Sequence, residues 1–174
     1  MSADQLTDEE IMAQVANGNL DVLKVLFDKH HVHVFNFLYK MCGDRMLSED
    51  LAQDVFYKVI KYRKSYKKGA FISWLFTIAR NSLKTHFTRN KETHDDLDNV
   101  TYKLSEEKNE EDYSHLHKAL QQLDASDREL VVLHRFQGIK YPELAEIMHS
   151  TPGAIKTKMS RALKKLKTIY LQTI

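Results

Sequence analysis

Residues 141–167 read YPELAEIMHSTPGAIKTKMSRALKKLK, and the order of residue types in this stretch decides the fold. Leu144, Ala145, Ile147 and Met148 make a short apolar segment, with Pro142 in a first turn where its missing N–H costs nothing. Thr151-Pro152-Gly153 starts a second helix, with Thr151 as N-cap and Pro152 at the first helical position. Ile155, Met159, Ala162, Leu163 and Leu166 then recur at helical spacing. A short helix, a tight turn and a longer basic helix are the parts of a helix-turn-helix. Ala154, Lys156, Thr157, Ser160 and Arg161 fall off the apolar stripe and form a face suited to a major groove. Lys158, Lys164, Lys165 and Lys167 suit phosphates, which fix register without reading sequence. A basic amphipathic helix used only for packing is the competing reading, and the helix and turn before it weigh against that.

Outward from this unit the chain keeps a helical period. Thr7-Asp8-Glu9-Glu10 is a capping box for a first helix ending near Gly18. Leu20, Leu23, Phe27, Val34, Leu38 and Met41 trace a second helix. Ser48 is the expected N-cap of a third, whose inner face is Leu51, Ala52, Val55, Phe56, Val59 and Ile60. Phe71, Leu75, Ile78 and Ala79 mark a fourth. Further on, a helix spans Tyr113–Leu123, and Ser126-Asp127-Arg128-Glu129 reads as a capping box for the next, which ends at Gly138. No segment alternates as a strand would. The expectation is an all-α chain of two small helical domains, 1–90 and 113–174, joined by an acidic flexible linker over 91–112.

Charge is partitioned more strongly than the net +2 suggests. Val55–Asn90 holds nine Lys/Arg and no carboxylate, and Ser150–Ile174 holds six and none. Two acid-free basic tracts imply a polyanion gripped in two places, with nucleic acid the first candidate. The linker carries nine acidic residues against three Lys. Asp95, Asp96 and Asp98 beside His94 read as a solvated charge run rather than metal ligands. One cysteine, Cys42, excludes an internal disulfide and fits a reducing compartment. No signal peptide or membrane-length apolar run is evident, which points to the cytoplasm without membrane insertion.

The first basic tract contains Phe71-Ile72-Ser73-Trp74-Leu75-Phe76-Thr77-Ile78-Ala79-Arg80-Asn81. Aromatics interleaved with cations suit unpaired strands, where base stacking contributes about 1–3 kcal/mol per base. Phe71 and Leu75 also lie on the core stripe, so spacing alone leaves stacking and packing open. Among nine histidines, His30, His31 and His33 cluster, as do His115 and His117, but neither set has partners at metal-ligand spacing. No phosphate loop, nucleophile elbow or paired-carboxylate site occurs. The expectation is no cofactor, no metal and no enzyme.

Ser48-Glu49-Asp50-Leu51-Ala52-Gln53-Asp54-Val55-Phe56, with Gly69, Phe71, Trp74-Leu75 and Ile78-Ala79-Arg80-Asn81, resembles region 2 of bacterial sigma factors. Leu123, Arg128, Gly138-Ile139-Lys140-Tyr141, Glu143-Leu144-Ala145 and Gly153-Ala154-Ile155-Lys156-Thr157-Lys158 with Arg161-Ala162 resemble region 4. Having only these two regions is the pattern of the extracytoplasmic-function (ECF) subfamily. The resemblance implies that Asp50, Gln53 and Asp54 meet the β′ clamp of core RNA polymerase, while region 4 packs on the β flap. It implies that Phe71, Trp74, Arg80, Asn81, Lys84 and Arg89 serve the −10 element, with Trp74 as a wedge and Asn81 near a flipped base. Lys156, Thr157, Ser160 and Arg161 would read the −35 element in promoter DNA. Lys156 stands where an arginine is common, giving a point charge instead of a bidentate fork. An anti-sigma factor is a further implied partner. The alternatives are a stand-alone helix-turn-helix regulator of duplex DNA, which leaves the Trp74 segment without purpose, and an RNA-binding adaptor.

Overall fold

The computed structural model describes residues 5–93 and 111–174, excepting the side chains of 92–93 and 111–113. Every regular element among them is helical, and none is a strand. Two compact units form: one from the first four helices, without Tyr39–Arg45, and one from the last four together with that segment. Most of the acidic tether, with His94, Asp95, Asp96 and Asp98, lies outside the described residues.

In the first unit, α1 (Asp8–Ala16) starts on the expected capping box. The Thr7 hydroxyl accepts from the Glu10 N–H at 3.2 Å, and the Glu10 carboxylate accepts from the Thr7 N–H at 2.7 Å. Gly18, at φ 102°, ends it, because the left-handed turn is free of strain only without a Cβ. A tight turn over Leu20–Val22 leads into α2 (Leu23–Cys42). Of the expected stripe, Val34, Leu38 and Met41 are buried; Leu26, His30 and Phe37 join them, while Leu20 and Phe27 are 43% and 39% exposed. A histidine holds a core position here, which counting apolar residues alone misses.

The third helix, α3 (Arg45–Lys61), begins three residues before Ser48, which is wholly buried within it and is not its N-cap. Glu49 and Asp50 therefore sit beyond the first turn. Leu51, Ala52, Val55, Phe56 and Val59 are buried as expected, and Ile60 is half-buried. After a turn at Arg63–Ser65, α4 (Phe71–Thr93) buries Phe71, Leu75, Phe76, Ala79 and Leu83. Phe76 meets Phe37 edge-to-face at 5.7 Å. Burying each such side chain contributes about 1.5–3 kcal/mol, and these rings anchor α4 to the bundle.

In the second unit, α5 (Glu111–Gln122), α6 (Ala125–Val131) and α7 (Tyr141–Ile147) all pack on α8 (Pro152–Thr173). Leu120, Leu130, Leu133, Leu144, Ile147, Ile155, Met159 and Ala162 form the shared core. Ser126 is not an N-cap, since α6 starts at Ala125 with Asp124 in the cap position. The chain continues through a wider π-turn at Val132–Phe136 and breaks at Gly138, φ 68°. The Arg128 guanidinium donates to the carbonyls of Leu120, Gln121 and Leu123 at 2.8–2.9 Å, supplying donors to the C-terminal end of α5. Thr151 caps α8, its hydroxyl accepting from the Ala154 N–H at 3.2 Å, and Pro152 follows as expected.

Candidate nucleic-acid interface

The first unit presents α4. A straight helix returns to the same face after seven residues, so Trp74 and Asn81 lie in line two turns apart, flanked by Thr77 and Lys84. Asn81 and Lys84 are exposed and Trp74 is half-buried. The Trp74 ring meets Tyr66 edge-on at 5.3 Å and lies 6.2 Å from Phe71. The Tyr66 hydroxyl donates to the Gly69 carbonyl at 2.7 Å, fixing the loop under the indole. Burial, then the nearby Glu9 and Asp8 charges, push the Tyr66 phenol above its usual range, so it stays a donor.

Phe71 does not belong with the exposed group. Its ring has no exposed surface and offers no face to a base; it is the floor beneath Trp74. Arg80 is half-buried on the flank of the strip, and Arg89 is exposed near the helix end on the line that continues from Phe71. The structure thus gathers Trp74, Asn81 and Lys84 on one strip and leaves Arg80 and Arg89 beside it. Thr77, which spacing alone did not single out, lies between them with its hydroxyl turned back onto the Ser73 carbonyl at 2.6 Å. Lys58 is occupied by Asp54 and the Ser82 hydroxyl, both at 2.9 Å.

On α3, Asp50 and Gln53 are exposed, and Asp54 is partly engaged by Lys58. Met46 and Tyr57, 77% and 61% exposed, share their face at spacings of three or four residues. Two large apolar groups framing two polar ones make a surface suited to a protein partner. Sequence reasoning missed both; their position off the buried stripe is the available signal.

The second unit presents α8. Lys156, Thr157, Ser160 and Arg161 are all exposed. Thr157, Ser160, Arg161 and Lys164 form the outward strip opposite Ile155, Met159 and Ala162. Lys156 sits to one side, its ammonium 5.6 Å from the Tyr141 ring centre. Tyr141 in turn stacks on His134 at 4.4 Å, and the His134 Nδ1 lies 2.8 Å from the Ile139 carbonyl. The cation near the start of α8 thereby lies against a layered stack. On the far flank, Lys165 pairs with Asp127 at 2.9 Å, and this hydrogen bond and charge raise its amine above the usual lysine range. Among the described residues no group of three His, Cys, Asp or Glu is placed to hold a metal ion, and no helix is long and apolar enough to cross a membrane.

Two helical units, each presenting a basic helix with polar side chains outward, define a class of protein suited to a polyanion such as nucleic acid. Comparison with known proteins agrees. Residues 26–93 match sigma-70 region 2, and residues 114–166 match sigma-70 region 4. The RNA polymerase sigma factor CarQ of Myxococcus xanthus is 32% identical over 164 residues, covering 91% of this chain and 94% of that protein. The sigma factor RpoE from Bartonella quintana, solved with the anti-sigma factor NepR, superposes with a TM-score of 0.75 at 26% identity, covering 84% and 95%. CnrH, solved with the cytosolic domain of CnrY, has a TM-score of 0.74 at 22% identity over 93% and 96%, a likeness of fold. The chain belongs to the sigma-70 family of sigma factors, in its extracytoplasmic-function group, and acts in transcription initiation.

Proposed function

We propose that this chain binds core RNA polymerase and directs it to a subset of promoters. In this reading α8 reads duplex −35 DNA and α4 captures melted −10 DNA, from domains spanning 1–90 and 113–174. Lys156, Thr157, Ser160 and Arg161 make the −35 contacts, with Lys164 added on the same strip. Trp74 acts as the wedge at the edge of the bubble, Asn81 holds an unpaired base, and Lys84, Arg80 and Arg89 meet phosphates. Asp50, Gln53 and Asp54, extended by Met46 and Tyr57, face the β′ clamp, while the second unit packs on the β flap. The observation that carries the reading is the half-exposed indole of Trp74 aligned with Asn81 and Lys84 in a basic tract without carboxylates. A duplex-only regulator has no use for that strip.

The protein performs no bond-making chemistry of its own and works in the cytoplasm. The solved complex of the RpoE relative with the anti-sigma factor NepR supports a restraining partner of that kind. Run-off transcription with purified core polymerase on candidate promoters tests the reading. Promoter-dependent transcript with permanganate-reactive thymines near −10 is the expected result. Duplex binding without transcript on any template would leave the stand-alone regulator instead.

A further inference from the structure

The start of α4 is poorly provided by its own sequence. The residue in the N-cap position is Ala70, which has no acceptor side chain, and Lys67-Lys68-Gly69 precede it with two positive charges. A helix N-terminus favours the opposite: an acceptor for its free N–H groups and a negative charge against its dipole. Both arrive from a residue 62 positions earlier in the chain. The Glu9 carboxylate accepts from the Phe71 backbone N–H at 3.0 Å.

Glu9 is exposed, but the helix that carries it is anchored on both sides of it. Its neighbour Asp8 accepts from Lys29 at 2.8 Å and pairs with His30 Nε2 at 2.8 Å, which ties α1 to α2. Glu10 closes the capping box of α1. Three consecutive carboxylates thus have three tasks, and only that of Glu9 reaches α4. Phe71, whose amide Glu9 holds, packs its buried ring against His30 and Tyr66 at 5.5 and 6.3 Å and lies beneath Trp74. α1 also packs against the Arg63–Ser65 turn leading to this loop.

We propose that Glu9 is a positioning residue for promoter opening: from α1 it caps α4 and fixes the attitude of the Trp74 indole. This rests on the reading of Trp74 as the wedge. Glu9 touches no DNA; it acts through Phe71 and the Tyr66–Trp74 contact. An N-terminal helix outside the matched region 2 segment thereby sets the efficiency of strand separation.

The chain contains one tryptophan, so its emission reports on Trp74 alone. The experiment compares wild type, Glu9→Ala, Glu9→Gln and a control, Val15→Ala, which weakens the α1 core without touching the α4 cap. Acrylamide quenching of the full chain reads Trp74 accessibility. Holoenzyme assembled with core polymerase gives closed-complex affinity and, from a fluorescent base near −10, the opening rate. Glu9→Ala should raise quenching and slow opening about five- to tenfold, the size expected for losing a charged cap, with closed-complex affinity little changed. Glu9→Gln, which keeps an acceptor oxygen, should recover most of both. Unchanged quenching in Glu9→Ala overturns the proposal, as does equal slowing by Val15→Ala at matched thermal stability. The quenching arm needs no polymerase, so its failure is distinguishable from failure of the promoter-opening reading.

Discussion

His30 shows how one side chain can carry a polar tie inside a core. It is 5% exposed, its Nε2 lies 2.8 Å from Asp8, and burial holds its pKa below the usual 6.5 despite that carboxylate. Lys29 and His33 add repulsion against a charged ring. The Asp8 carboxyl loses solvent too, yet the hydrogen bonds and charges of Lys29 and His30 outweigh that and keep it below its ordinary 3.8. Below pH 6.5 the unfolded chain therefore takes up a proton that folded His30 refuses, and stability falls as pH drops. The full contribution is present above 6.5, and Asp8 adds a second loss only at much lower pH. For this one proton the slope reaches at most about 1.4 kcal/mol per pH unit. Urea midpoints between pH 7.5 and 5 should fall for wild type and fall less for His30→Gln. Parallel profiles would assign the slope elsewhere. His117, also lowered chiefly by burial, contributes in both proteins and cancels from the difference.

At the level of elements, the turn between α7 and α8 closes with the Ser150 N–H on the Ala145 carbonyl at 2.9 Å and the His149 N–H on the Glu146 carbonyl at 3.3 Å. This pairing puts the intervening residue in the left-handed region, and His149 is there at φ 52°. A residue with a Cβ costs about 1–2 kcal/mol in that conformation. After glycine's greater loss of backbone freedom on folding, His149→Gly should raise unfolding stability by about 0.5–1 kcal/mol in a denaturant titration. A loss would mean the imidazole itself contributes to the turn. The helices and their order were legible because apolar spacing is a local signal. The caps were legible where the motif and the chain break coincide, as at Thr7 and Thr151. Ser48 and Ser126 carry the same local pattern, yet α3 starts at Arg45 and α6 at Ala125, so neither serine stands at the N-cap position. The exposed faces of α4 and α8 could be read as the complement of their buried stripes. The Glu9 cap and the Tyr141–Lys156 stack could not, since they join residues whose separation carries no period.

For the molecule as a whole, the two acid-free tracts count for less than their fifteen formal charges. Lys58 is bound to Asp54 and Ser82, and Lys165 to Asp127, while Lys84 and Lys164 stand on the outward strips. Promoter affinity of the holoenzyme should weaken linearly in log–log plots against salt. Lys84→Gln and Lys164→Gln should each lower that slope by about 1, the signature of one lost phosphate contact. Lys165→Gln should change it less, and equal changes for all three would show that the Asp127 pair opens on DNA. The two nucleic-acid helices also differ in how their starts are secured. α8 carries its own cap in Thr151, three residues from the amide it serves, whereas α4 borrows Glu9 from another helix. As engineering parts they are therefore unequal. A specificity swap into this chain can replace the turn and α8 as one continuous cassette, but an exchanged α4 keeps a capped start only while Glu9 stays on α1.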